Sequence, residues 1–201
     1  MAEQQLTASI KSSGDIDQHL IYLLKLSSTC ESILECGVRT VVSSWAFLNG
    51  LLINKSDKKI LHSCDISKSP NISLLEKTAI DENVAFKFHE CNDLDLQMTD
   101  YDMIFIDTWH IYGHLKRELA KFAPFAKKYI VMHDTTIDGI VGESIRCGFN
   151  IPQQVIESGY PEEEIRCGLE EAIREFLVDN KEWKVKKHFY HQNGLTVLER
   201  I

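Results

Sequence analysis

Two short polar clusters in the middle of the chain carry the carboxylate and imidazole groups that proton transfer and cation binding use. Asp107, Trp109 and His110 follow the apolar run MIFI, and His133, Asp134, Thr135 and Thr136 follow YIVM. Both runs have the composition of strands buried on both faces of a parallel sheet. Between them Ile111, Leu115, Leu119 and Phe122 fall on one helical face, with Lys116, Arg117, Glu118 and Lys121 expected to face water. In open α/β sheets the carboxyl ends of neighbouring parallel strands form the ligand crevice. The two clusters are therefore expected to line one cavity.

A second set lies upstream. Glu35 ends the run SILEC, and Gly37 turns it into a helix, an arrangement suited to a ligand whose polar groups meet backbone amides at the helix start. VRTVV follows Gly37, so the GxGxxG turn of dinucleotide sites is absent. A plain strand-to-helix turn explains one glycine equally well. Asp65 ends KKILHSCDI, where this architecture hydrogen-bonds a ribose; a helix cap or surface charge is the plainer reading. Asp107 and His110 could likewise only cap a helix start. His110 and His114 form H-x-x-x-H, but Ile111 stands where a zinc hydrolase of the HExxH type needs its glutamate. DTTIDG lacks the acidic ladder of a calcium loop.

The elements that position these groups follow from periodicity. A polar start over residues 1–14 is expected to be flexible, and IDQHLIYLLKLSS forms a covering helix through Ile16, Leu20, Leu23 and Leu24. SILEC, a helix from about Ser43, KKILHSCDI, the helix ISLLEKTAIDE and VAFKFH come next. Residues 135–161, with four glycines and two prolines up to Pro161, read as a long irregular loop on the substrate side. EEEIRCGLEEAIREFLVDN is the last helix, and an Asn193-Gly194 turn joins EWKVKKHFYH to LTVLERI as an antiparallel hairpin. Alternation of this kind requires a mostly parallel α/β sheet with helices on both faces.

A chain of 201 residues with no repeat or linker fits a single domain spanning 1–201. A formal charge of −8 argues against nucleic-acid binding, which needs a basic face. Six scattered cysteines without a CxxC pair suit reduced thiols in a reducing compartment. No run is long enough to span a bilayer, and the start lacks the features of a signal peptide. A cytoplasmic protein is the expectation.

ILECGVRTVVSSWAFL resembles the E-x-G-x-x-x-G-x-S first motif of class I S-adenosylmethionine-dependent methyltransferases, and FIDTWHIYGHLKREL resembles the D-x-x-H segment of their small-molecule O-methyltransferase branches. With YIVMHDTT, GLEEAIREFL and NGLTVLERI, the chain from about Asp15 to Ile201 is similar to the glycan (rhamnosyl) O-methyltransferase and cephalosporin hydroxylase-like group. The resemblance implies a Rossmann-like class I methyltransferase fold, with a seven-stranded, mostly parallel sheet and an antiparallel terminal hairpin. It implies S-adenosyl-L-methionine as cofactor and a sugar or glycan acceptor, such as rhamnose. It also implies the methyltransferase module of a viral multidomain glycosyltransferase, fused to glycosyltransferase domains.

By the same similarity Glu35, Gly37 and Ser43 hold the amino-acid end of the cofactor, Asp65 the ribose, and Asn92 or Asp93 the adenine edge. Asp107 and Asp134 match two ligands of a divalent magnesium or manganese ion, with His133 or Thr135 in a third position, and His110 matches the general base. One departure is Val41, where the motif has its second glycine; a side chain there is expected to narrow the approach to the methionine portion. A catechol-type small-molecule O-methyltransferase and a non-catalytic binding module of the same fold are the alternatives.

Overall fold

The computed structural model describes residues 1–201 and contains strands β1 (Ser32–Cys36), β2 (Ile60–Asp65), β3 (Ala85–Glu90), β4 (Tyr101–Ile106), β5 (Ala126–His133), β6 (Trp183–Phe189) and β7 (Leu195–Arg200). They form one seven-stranded sheet in the order β3-β2-β1-β4-β5-β7-β6. β1 pairs in parallel with both β2 and β4, so the strand order reverses beside β1 and opens a crevice at its carboxyl end. β7 runs antiparallel between β5 and β6.

The two-residue period of the strands sorts the core into two layers. Ile33, Met103, Phe105, Val131 and Val197 point to one face, where they meet α1 (Ala2–Ile10), α2 (Leu20–Ser27), α3 (Val42–Ile53) and α4 (Ile72–Asp81). Leu34, Ile104, Ile106, Ile130, Met132 and Leu198 point to the other, against α5 (Tyr112–Phe122) and a later helix over Leu169–Asp179. No helix is long and apolar enough to cross a membrane.

Four details depart from the sequence expectations. The opening segment is the helix α1, not a flexible tail: Ala2 and Leu6 are buried in the core, and the Asn49 side chain donates to the Ala2 carbonyl at 3.0 Å. Residues 135–161 contain two short helices, α6 (Glu143–Arg146) and α7 (Ile151–Ser158). The Asn150 side chain caps α7 at its start, and Gly159, at φ 70°, ends it in the left-handed region. The last helix breaks into α8 (Glu162–Arg166) and α9 (Leu169–Asp179), because Gly168 packs so tightly on the Asp138 and Gly139 carbonyls that a Cβ would lie 2.4 Å from each. Glu118, expected to face water from α5, is buried.

Candidate active site

β1, β2 and β4 end level with one another, with Cys36 opposite both Cys64 and Ile106. Beyond them lies a cavity of about 450 Å³ whose lining includes Gly37, Asp65, Asn92, Asp107, Trp109 and Phe149. A hollow of about 490 Å³ between α5 and α9 lies away from these strand ends, and its Lys116 and Glu175 pair with each other at 3.1 Å.

On the β1–β2 side the polar groups are bonded within the protein. Glu35 is an odd-numbered residue of β1, so it points into the α3 layer rather than along the strand toward the cavity. There its Oε1 accepts from Ser43 Oγ at 2.6 Å, and its Oε2 from Ser44 Oγ at 2.7 Å and Ser63 Oγ at 2.8 Å. Complete burial pushes the Glu35 carboxyl up to about 7, against the opposing pull of these three donors. Glu35 and Ser43 therefore meet each other beneath the cavity, and neither lines it.

Gly37 does line it, at φ 84°, but the geometry that demands glycine is internal: a Cβ would lie 1.8 Å from the Asp107 carbonyl oxygen. Val41 also has a positive φ, 70°. Its side chain is buried in the α3 layer and is not part of the cavity lining. What the substitution brings is a β-branched residue held in the left-handed region.

Asp65 Oδ2 accepts from the Val38 and Arg39 amides at 2.8 and 3.0 Å, and Oδ1 from the Ser67 amide at 3.0 Å. It sits at the cavity wall with most of its acceptor capacity used. Asn92 caps the turn after β3 by accepting from the Leu94 amide at 2.9 Å. Asp93 is largely buried, bonded to His114 Nε2 at 3.2 Å.

The β4–β5 side differs. Asp107 Oδ1 lies 3.1 Å from His110 Nε2, and Asp134 Oδ2 lies 3.1 Å from His110 Nδ1. Asp138 and Glu143 approach the same ring nitrogen at 3.5 and 3.6 Å. One ligand atom each from Asp107, His110 and Asp134 falls within 4.8 Å of the others. His133 is placed behind this trio, its Nδ1 3.5 Å from Asp107 Oδ1 and 3.4 Å from Asp134 Oδ1. Burial opposes a charge on His133, but those two carboxylates outweigh it and push the imidazole up to about 10. Thr135 is buried and its hydroxyl accepts from Thr196 Oγ1 at 2.9 Å.

Three buried atoms here make no well-aligned hydrogen bond, although carboxylates or imidazoles stand near two of them: His110 Nδ1, Asp134 Oδ1 and His133 Nε2. Burial opposes a charge on His110, but the surrounding carboxylates win and raise its pKa. The backbone is built to hold this arrangement. Asp134 adopts φ 57°, the Thr136 and Ile137 amides both donate to the Asn193 carbonyl at 2.9 Å, and the Glu143 amide donates to the His110 carbonyl at 2.9 Å. Asp138 and Glu143 join this cluster from residues 135–161, and their only signal in the sequence is nearness to Asp134.

No family model matches the chain, and no curated protein matches it either. Solved structures do. The chain is similar over its whole length to a methyltransferase of Podospora anserina with S-adenosylhomocysteine bound, at 13% identity, 87% coverage of that chain and a TM-score of 0.59. An O-methyltransferase from Bacillus cereus in complex with S-adenosylhomocysteine matches all of this chain and 89% of its own, at 13% identity and TM-score 0.59. A caffeoyl-CoA O-methyltransferase candidate from Staphylococcus aureus matches 92% of this chain and 83% of its own, at 16% identity and TM-score 0.58. The chain has the Rossmann-like fold of these methyltransferases.

Proposed function

We propose that the protein is an S-adenosylmethionine-dependent O-methyltransferase whose acceptor is a sugar hydroxyl, of the deoxyhexose class such as rhamnose in a glycan. The observation that carries the reading is the convergence of Asp107, His110 and Asp134 beside the crevice, with buried atoms of His110 and Asp134 left without a well-aligned hydrogen bond. Support for the cofactor comes from the fold, which is shared with proteins solved with S-adenosylhomocysteine. The sugar rests on the resemblance of the sequence motifs to glycan O-methyltransferases.

The Asp107 and Asp134 carboxylates would hold a divalent magnesium or manganese ion, which leaves the His110 imidazole free to act as the base. When bound, such an ion would lower the acidity barrier of an acceptor hydroxyl and steady its oxygen. The chain's own residues supply the rest. The crevice wall at Gly37, Asp65 and Asn92 receives the cofactor, and Trp109 and Phe149 offer flat faces to the acceptor. The acceptor oxygen forms its bond to the methyl carbon as the carbon–sulfur bond breaks and its electron pair returns to sulfur. His110 takes the hydroxyl proton. For that its imidazole must be neutral, which requires the charge of Asp107 and Asp134 to be engaged elsewhere.

The same aromatic faces would stack on a phenol, which favours a catechol-type acceptor as the second reading. A panel of sugar and catechol acceptors separates the two. His110→Ala should lower turnover on the order of a hundredfold while cofactor affinity holds, the scale of losing a positioned base. Turnover within a few-fold of wild type in the folded variant would remove His110 from the reaction.

A further inference from the structure

His110 and His114 lie one helical turn apart in sequence, yet the structure turns them to different partners. His114 Nε2 lies 3.2 Å from Asp93 Oδ1 and 3.7 Å from Glu118 Oε1. All three residues are buried, and one ligand atom from each falls within 4.8 Å of the others. The inner carboxylate oxygens are occupied: Thr108 Oγ1 donates to Glu118 Oε1 at 2.6 Å, and Asp93 Oδ1 meets His114. Asp93 Oδ2 and Glu118 Oε2 remain, buried and without a hydrogen-bond partner. Two adjacent carboxylates in a protein interior are costly unless something positive or a proton joins them.

We propose that Asp93, His114 and Glu118 bind a divalent transition-metal ion, with zinc the best match, at a site separate from the Asp107, His110 and Asp134 cluster. Two carboxylate oxygens with one imidazole nitrogen are a donor set that zinc accepts and that calcium or magnesium, which prefer oxygen alone, do not. Ligands about 2.1 Å from a shared zinc stand within roughly 4 Å of one another, so the observed spread closes with side-chain shifts of less than about 1 Å. Tyr160 supplies the partner that a metal-bound histidine needs on its other nitrogen: its hydroxyl lies 3.2 Å from His114 Nδ1. Tyr160 is itself held, stacked on Trp109 with centroids 5.8 Å apart and covered by the Arg117 guanidinium at 4.0 Å. Asp93 and His114 also line the crevice, which gives an ion its way in.

An ion here would tie the turn after β3 to α5 and so fix one wall of the crevice. In its absence the carboxylate pair would share a proton. Burial, and then the neighbouring Asp93, pushes the Glu118 carboxyl well above the usual range.

The test uses the full chain with the other cluster removed by Asp107→Asn and Asp134→Asn. Stripped of metal and titrated with zinc against a chromophoric chelator, this variant should bind one equivalent, and cobalt should give it a tetrahedral absorption band. Adding Asp93→Asn and His114→Gln should abolish both. Should any variant fail to fold, wild-type crystals soaked in zinc decide the matter by anomalous scattering: a peak among Asp93, His114 and Glu118 is expected. Binding weaker than about 100 µM by the folded variant, or no peak at these residues, overturns the site and leaves a proton-sharing carboxyl pair.

Discussion

The two sides of the crevice treat their polar groups differently. Toward β1 and β2, Glu35 is closed by three serine hydroxyls, Asp65 by three backbone amides and Asn92 by one. Toward β4 and β5, His110, His133 and Asp134 each leave a buried atom without a well-aligned hydrogen bond. Buried polar groups are normally satisfied, so these three exceptions suit a place where a ligand completes the structure. On the other wall Glu35, Asp65 and Asn92 are already engaged within the protein, and only Asp93 keeps an unpartnered oxygen. A cofactor there would rest on backbone and compete for the acceptor capacity of Asp65.

The sharpest break in this contrast is Asp107→Asn. The change removes the carboxylate between His110 and His133 and leaves two buried imidazoles with Asp134 as their nearest anion. A loss of about 3–5 kcal/mol in urea unfolding is expected, the scale of an uncompensated buried charge. A loss below about 1 kcal/mol would mean that this side is relaxed, with no unmet electrostatic demand.

On the scaffold side, Glu35→Gln tests whether a carboxylate is held there against its preference. The folded protein binds the Glu35 proton with a pKa of about 7, above the ordinary 4.5. Stability from this group is therefore full below pH 4.5 and is lost as pH rises through about 7. Wild type should lose about 3 kcal/mol relative to the glutamine variant between pH 4.5 and 8. Parallel pH profiles of the two unfolding free energies would show that Glu35 is hydrated, not sealed.

Val41 gives the smallest effect. Shortening a buried valine normally destabilises, but glycine relieves the left-handed backbone, worth about 1–2 kcal/mol. Val41→Gly should then be more stable than Val41→Ala by about 1 kcal/mol, the reverse of the usual order in a core. Thermal melts of the two variants check it, and an alanine variant at least as stable as the glycine one would show no strain at this turn.

All seven strands fall where alternation and apolar runs place them, because buried strands carry their signal in composition over five or more consecutive residues. That Asp107, His110 and Asp134 come together was legible too, since the ends of adjacent parallel strands must meet, but the two clusters do not line one cavity as expected: Asp107 and Trp109 do, and His110, His133, Asp134, Thr135 and Thr136 lie beside it. The helices of residues 135–161 were not: α6 has four residues, too few for a helical period, and glycines flank it. Glu118 looked solvent-facing because its partners Asp93 and Thr108 come from other elements. Ser63 and Ser44 were invisible as partners of Glu35 for the same reason. Val41 stands at the turn the motif spacing indicates, and its burial in the core was not legible because the residues that cover it come from other elements.

Calorimetric titration of S-adenosylhomocysteine into the wild-type protein and Asp65→Asn asks whether the crevice at the β1 and β4 strand ends receives S-adenosylmethionine. Saturable one-to-one binding to wild type is expected, weakened roughly tenfold in the variant, whose side chain is a poorer acceptor for a ribose hydroxyl. Folded wild type that shows no binding heat up to about 1 mM ligand would contradict it, and would leave this chain a methyltransferase fold without the cofactor.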